Sequence, residues 1–190
     1  KATPAAILEQ AGEIGVNTLG IPEEFDGVLT EQSTVTWTLM AEALAHGDMG
    51  IAYAALAPGA AATAIGRWGD PDQQASYLPA FTGENPPAAA LAILEPKPLF
   101  DPFNPDTRAT AGTGGHWILN GVKSMVARPG ECELFIVAAA TGDARPTLFI
   151  IESGSEGLTF EAEPAMGLRA ASTGRLVLED VRVPASAMLG

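Results

Sequence analysis

Sulfur, imidazole and early positive charge are all scarce in this 190-residue chain. Cys132 is the single cysteine, so these residues form no internal disulfide and no thiolate metal cluster. Its expected role is that of a small buried or half-buried side chain, not a nucleophile. His46 and His116 are the two histidines. They lie far apart, outside any metal-ligand spacing, and both are read as structural. No strained-turn Ser motif supports a Ser-His-Asp site. Lys1 is the only Lys or Arg before Arg67, and the formal net charge is −13. Such a field repels nucleic acid, and no basic stripe overcomes it. Every candidate run of about 18 apolar residues is interrupted by Gly, Pro or polar residues, so no membrane span is expected. Glu9 and Glu13 fall inside the first stretch, which does not fit a signal peptide, and a cytoplasmic location is the expectation.

Hydrophobic residues make up 47% of the chain, enough for a sizeable core in one large domain or two small ones. The first half reads as helical. Ile7, Leu8, Ala11 and Ile14 repeat at helical spacing over residues 3–15. A second helix is expected from about Ser33 to His46, with Val35, Leu39 and Ala43 in one apolar line and Trp37, Met40 and Leu44 beside it. Asp48 is a cap candidate for a third helix, which Pro58 should end or bend. A short helix over 60–68 would follow. Asp70-Pro71 with Gln73 has capping-box spacing and starts a helix running to about Phe81.

After Pro86-Pro87 the texture changes. Strand-like runs occupy 88–94, 107–111, 116–120, 133–140, 147–152, 158–162 and 174–181. Turn signals separate them at Gly112 to Gly115, Asn120-Gly121, Gly142-Asp143 and Ser153 to Gly157. Short strands after helices predict an α+β fold, a helical domain over 1–87 followed by an antiparallel β-barrel or sandwich over 88–190. The Gly112–Gly115 cluster lacks G-x-G-x-x-G spacing and reads as a hairpin turn, not a phosphate cradle. Trp37, Trp68 and Trp117 are expected as core anchors. Glu9, Glu13, Glu23 and Glu24 are read as a solvated face, and Arg169 and Arg175 as surface or ion-pair groups.

Five segments carry a resemblance. They are Leu19-Gly20-Ile21-Pro22-Glu23-Glu24-Phe25-Asp26-Gly27, then Arg67-Trp68-Gly69 through Gly83-Glu84, then Ala92-Ile93-Leu94-Glu95-Pro96, Leu119-Asn120-Gly121-Val122-Lys123, and Met166-Gly167-Leu168-Arg169 with Val181-Arg182-Val183-Pro184 and Leu189-Gly190. In that order they resemble the acyl-CoA dehydrogenase family, over nearly the whole chain. The resemblance implies FAD as cofactor and α,β-dehydrogenation of an acyl-CoA thioester, in a homo- or hetero-oligomer of family subunits. It also implies a C-terminal four-helix domain, beyond these residues, that carries the general base. No acid of this chain is therefore assigned that role, and the 190 residues alone are expected to be inactive. A large apolar surface should be left exposed on the helical half.

The implied flavin-contact residues are Leu91, Ile93, Leu94, Met125, Val126 and Ala127, and the implied substrate contact is Phe100. Several depart from the family's pattern. Leu94 stands where the family has a Thr that bonds the flavin ring. Lys97-Pro98-Leu99-Phe100-Asp101 replaces Gly-x-Gly-Ser-Asp, whose Ser meets the acyl-CoA phosphate region. Met125-Val126-Ala127 replaces an aromatic-Ile-Thr run. Several readings stay open. FAD is held by backbone groups at these positions, or the chain is a flavin-free partner subunit, or it is an acyl-CoA oxidase or flavin monooxygenase of the same fold. For each altered residue, ordinary core packing competes.

Overall fold

The computed structural model describes residues 2–28, 33–142, 146–163 and 165–190. The chain divides into two compact units: a helical one through Ala88 that also takes back Ala165–Ser172, and a β unit from Ala89 that includes Thr173–Gly190. The span 88–190, expected as one domain, thus yields a short segment to the helical unit. Thr3 makes that return visible, since its N–H and its hydroxyl both donate to Ala170 O, at 2.9 and 2.7 Å.

Among the described residues the first unit is built on the α-helices α1 (Ala5–Glu13), α2 (Thr34–Gly47), α3 (Met49–Trp68) and α4 (Pro71–Thr82). Their starts are set locally. Ser33 Oγ accepts Thr36 N–H, and Asp48 Oδ1 accepts Ile51 N–H. Asp70 Oδ1 accepts Gln73 N–H at 2.8 Å while Gln73 Oε1 accepts Asp70 N–H at 2.9 Å, completing the capping box.

Pro58 corrects an expectation. It lies inside α3, which runs unbroken where two helices were expected. A proline in a helix interior costs about 3 kcal/mol, but here the surrounding turns are buried at Ala54, Ala55, Pro58, Gly59, Ala61, Ala62 and Ile65. Close packing of that small-residue face offsets the lost bond. At Gly59 a Cβ would stand 2.8 Å from Trp37 Cη2, so α2 and α3 approach as closely as glycine allows. Met49–Gly66 carries no charged residue. By length and composition alone α3 is apolar enough to cross a membrane, but its small-residue face packs inside the helical unit, so it is not a clear span. The apolar line expected on α2 points outward. Val35 is 67% and Leu39 60% exposed, and Ile14 and Val28 are exposed as well.

The β unit is one seven-stranded sheet: β1 (Ala89–Ala92), β2 (Arg108–Gly112), β3 (His116–Val126), β4 (Leu134–Ala140), β5 (Pro146–Glu152), β6 (Leu158–Ala162) and β7 (Gly174–Pro184), ordered β1-β4-β2-β3-β7-β6 with β5 on the other edge of β4. The architecture is the expected helices-then-strands α+β, but the sheet is mixed. β1 runs parallel to β4, as does the single β2–β4 pair. β4 is buried on both faces and reads as one continuous apolar run, the pattern of a strand with neighbours on all sides. Ala90, Ala109, Leu119, Val126, Phe135, Val137, Phe149, Ile151, Leu176 and Val181 meet in one core cluster. Strands from both ends of the sheet reach it, so the sheet curls around that core.

Gly112 to Gly115 forms the expected β2–β3 hairpin turn, with Gly114 and Gly115 at φ 91° and 75°. Asn120-Gly121 is not a turn. It sits inside the long β3 at a register shift against β7, where Asn120 and Asp180 exchange two hydrogen bonds of 3.0 and 2.9 Å. Of the expected turn at Gly142-Asp143, Asp143 lies outside the described residues. Trp117 packs edge-on against Phe149, 5.7 Å between ring centres, and is a core anchor. Trp68 is not one, being half-exposed beneath the Arg67 guanidinium.

The capping box makes a direct prediction. Asp70→Ala should lower stability by about 1 kcal/mol, read as a lower denaturant midpoint with an unchanged slope.

Candidate functional site

Two chain segments end side by side in the β unit: 93–95, which continues β1, and 123–127, which closes β3. They share no regular ladder. Ser124 N–H donates to Leu94 O at 2.9 Å, and Lys123 Nζ donates to Ile93 O at 3.2 Å and to Glu95 Oε1 at 2.8 Å. Glu95 Oε2 also accepts Asp106 N–H at 2.6 Å, and its Oε1 accepts Thr107 N–H at 2.8 Å. One carboxylate therefore ties together the end of β1, the middle of β3 and the start of β2. The Lys123 side chain is 0% exposed and that of Glu95 3%. Burial by itself would raise the Glu95 carboxyl, but the bonds from Lys123 and from the Asp106 and Thr107 amides outweigh it and hold the group at about 2. Burial pulls the Lys123 ammonium below the ordinary lysine value, and Glu95 opposes that pull. Lys97 lies at the edge of the same cluster, 2.9 Å from Asp106 and 3.7 Å from Glu95.

A second carboxylate holds the other side of the 123–127 segment. Glu163 Oε2 accepts Met125 N–H at 2.7 Å, and Oε1 accepts the Ser124 hydroxyl at 2.7 Å and Arg175 Nε at 3.3 Å. Burial would raise this group too, and the Met125 N–H, the Ser124 hydroxyl and Arg175 hold it below the usual carboxylate value. Arg175 is thus the ion-pair group expected of it.

The implied contact residues divide by burial. Leu94 is 47% exposed, and Leu91, Ile93 and Met125 are half-buried. The Ser124–Leu94 bond brings the Leu94 and Met125 main chains close to each other. Val126 and Ala127 are buried, Val126 within the core cluster. Their side chains are core packing, and only their main chain is left to meet a ligand. Phe100 is half-buried, with Lys97 Nζ 5.8 Å from its ring centre. Leu99, at the second glycine position of the resemblance, keeps φ 52° and is fully exposed. The surface here combines exposed or half-buried apolar side chains with main chain. Neither of its two carboxylates is a free base. Elsewhere, burial pushes the Cys132 thiol up to about 12, which rules out a ready thiolate. No cluster of metal-ligating residues occurs among the described residues.

Comparison with known proteins gives this geometry a family. The acyl-CoA dehydrogenase N-terminal domain matches residues 1–84, and the acyl-CoA dehydrogenase middle domain matches 90–181. Probable medium-chain specific acyl-CoA dehydrogenase 2, mitochondrial, of Caenorhabditis briggsae is 31% identical, the match covering 98% of this chain and 47% of that protein. The short-chain specific acyl-CoA dehydrogenase of Megasphaera elsdenii is 30% identical over 97% of this chain and 50% of its own length. Among solved structures, butyryl-CoA dehydrogenase from Megasphaera elsdenii superposes with a TM-score of 0.85 at 28% identity, covering 100% of this chain and 51% of that one. Glutaryl-CoA dehydrogenase from Mycobacterium smegmatis in complex with FADH2 gives 0.84 at 26% identity, covering 98% and 47%. The chain belongs to the acyl-CoA dehydrogenase family. It spans about half the length of these relatives.

Sequence reasoning quoted Glu95 and Lys123 as motif residues without pairing them. A signal was present, since each is a charged residue in an otherwise apolar strand context, and such charges are buried only when paired. Glu163 and Ser124 were missed, and nothing in Glu161-Ala162-Glu163 distinguishes the inward acid from the outward one.

The ion pair generates two predictions. Lys123→Met removes the closest cation from the buried Glu95 carboxylate, leaving Lys97 at 3.7 Å, and should cost about 3 kcal/mol, whereas Glu95→Gln combined with Lys123→Met should recover most of the loss in equilibrium unfolding. The second concerns pH. A depressed carboxylate stabilises the fold above its unfolded value and loses that contribution as pH falls towards its folded value of about 2. Stability measured from about pH 5 downward should therefore fall less steeply in Glu95→Gln than in the parent.

Proposed function

We propose that the intact protein is an FAD-dependent acyl-CoA dehydrogenase in which this chain forms the two domains that hold and orient the flavin. The observation that carries the reading is the pairing of Leu94 O with Ser124 N–H at 2.9 Å. It joins two segments, distant in sequence, that the resemblance had separately assigned to the flavin. The names of the relatives support the same chemistry, and one solved relative is a complex with FADH2.

FAD, when bound, would supply acceptance of a hydride from the β-carbon of an acyl thioester. The residues present fit the group. Leu91, Ile93, Leu94 and Met125 offer apolar contact, and the main chain at 93–94 and 125–127 offers hydrogen-bonding groups that survive any side-chain change. Glu95 and Lys123 fix the height of the first segment, and Glu163 that of the second. Both carboxylates are already hydrogen-bonded, so we assign the α-proton abstraction to a base outside these residues. Phe100 brings no hydroxyl to the position where the family's Ser meets the acyl-CoA phosphate region. Lys97 is engaged with Asp106 and the Asn104 carbonyl, so we infer that the CoA phosphates are held from elsewhere.

A second reading has its own observation. Leu94 and Ala127 lack the two hydroxyls of the family pattern and Met125 lacks its aromatic ring, which favours a flavin-free partner of a catalytic subunit. Loss of the one hydroxyl at the exposed Leu94 position weakens binding by about 1 kcal/mol, or about fivefold, whereas the Ala127 side chain is buried.

The visible spectrum of the purified intact protein decides between them. Flavin bands at roughly 370 and 450 nm, present as isolated or after adding FAD, are expected. Leu94→Thr places a hydroxyl at an exposed position and should tighten FAD about fivefold. Ala127 is no place for the same change, because its side chain is buried. No uptake even at high FAD would establish the partner reading instead.

A further inference from the structure

We propose that Glu163 is a positioning residue for the flavin edge, holding Met125 in a left-handed conformation that presents its side chain and main chain beside Leu94. The proposal rests on the flavin reading above. Met125 has φ 56°, a region that residues with a Cβ avoid. It sits where the β3–β7 register breaks: Lys123 pairs with Leu176, and the next pair is Val126 with Gly174. Ser124 and Met125 together therefore stand opposite Arg175 alone, the arrangement of a β-bulge. Neither residue is part of the regular β3–β7 register.

Glu163 supplies the Met125 N–H with an acceptor. It follows the last β6–β7 pair, Ala162 with Gly174, and so emerges beside the bulge. Its Oε2 accepts the Met125 N–H and its Oε1 the Ser124 hydroxyl, both at 2.7 Å. Arg175, the residue facing the bulge, binds Oε1 from the other side at 3.3 Å. A charged acceptor forms stronger bonds than a neutral one, and two of its three partners belong to the bulge. Without it, the ladder would regularise by one residue, which reverses the side-chain faces beyond that point. Val126 would leave the core, and Met125 would leave its place next to Leu94. Bulges recur where a strand must re-aim a side chain at a ligand, and this one lies at the residue that replaces the family's aromatic platform.

The test compares the intact protein with its Glu163→Ala and Glu163→Gln variants. Two readouts are used: amide exchange at Ser124–Met125 without FAD, and the FAD dissociation constant with the flavin absorption maximum. Glu163→Ala should speed the exchange, weaken FAD about tenfold and shift the maximum. Glu163→Gln, which keeps a neutral acceptor of roughly half the strength, should weaken FAD about threefold. If Glu163→Ala does not fold, Glu163→Gln decides alone, and parent-like values on both readouts overturn the proposal. Fast exchange with parent-like FAD binding in Glu163→Ala also overturns it, since Glu163 would then serve the fold only. A parent protein that takes up no FAD overturns the flavin reading and this inference together. That outcome is distinct from a parent and a Glu163→Ala variant that bind FAD equally well.

Discussion

The buried pair of Glu95 and Lys123 is the constraint on which the β unit's working edge depends. β1 pairs with β4, and β3 pairs with β2 and β7, so the sheet's own ladders leave the relative height of 93–95 and 123–127 to be set by something else. Lys123 sets it by bonding Ile93 O and Glu95 Oε1 together, while Glu95 gathers the Asp106 and Thr107 amides. A buried ion pair is a poor source of net stability, because desolvating two charges costs several kcal/mol each. Its value here is geometric. An apolar pair could fill the same space but would leave a carbonyl and two amides without partners, and buried backbone groups without partners are costly.

The same logic explains the second carboxylate. Glu95 serves three segments from the interior, where water is excluded. Glu163 serves a bulge from the rim, where its own charge stays partly solvated and Arg175 balances it. The two acids hold opposite ends of one short stretch, Lys123 to Met125. Between them stands Ser124, whose N–H goes to Leu94 and whose hydroxyl goes to Glu163. That division of labour leaves both carboxylates engaged in hydrogen bonds that position main chain.

What was legible in the sequence was local. Asp70, Pro71 and Gln73 satisfy one another within a single turn, so their spacing alone fixed the start of α4. The strands announced themselves by apolar runs between turn residues, and each overlaps its run, although β3 continues through Asn120-Gly121 to Val126. The misread features are all decided at a distance. Pro58 is tolerated because α3 is buried on its small-residue face. Asn120-Gly121 has the chemistry of a hairpin, but Asp180, sixty positions away, recruits Asn120 into a bulge. The parallel β1–β4 pairing joins strands separated by the whole β2–β3 hairpin, and no periodicity reports a partner's direction. At the site, resemblance found both segments. Only the fold shows that Val126 and Ala127 turn inward and that Leu94 and Met125 do not.

Among the described residues, positive φ occurs at the non-glycine positions Asp26, Leu99, Met125, Arg128, Leu168, Ser172 and Asp180, and of these Met125 lies in the 123–127 segment. Leu99, Met125 and Arg128 all have positive φ, at 52°, 56° and 45°, and none is a glycine. Each such residue costs about 1–3 kcal/mol and persists only where its surroundings over-determine it. For Met125 the compensation is Glu163, and for Arg128 it is the ion pair with Glu131 together with the Glu131 N–H bond to Arg128 O. Leu99 occupies a position where the family pattern has a glycine, for which the same φ is free of strain. Leu99 and Met125 thus hold left-handed backbone with side chains that disfavour it. At Met125 that cost is met by the Glu163 carboxylate, so the main-chain geometry beside Leu94 depends on a side chain from the neighbouring strand end.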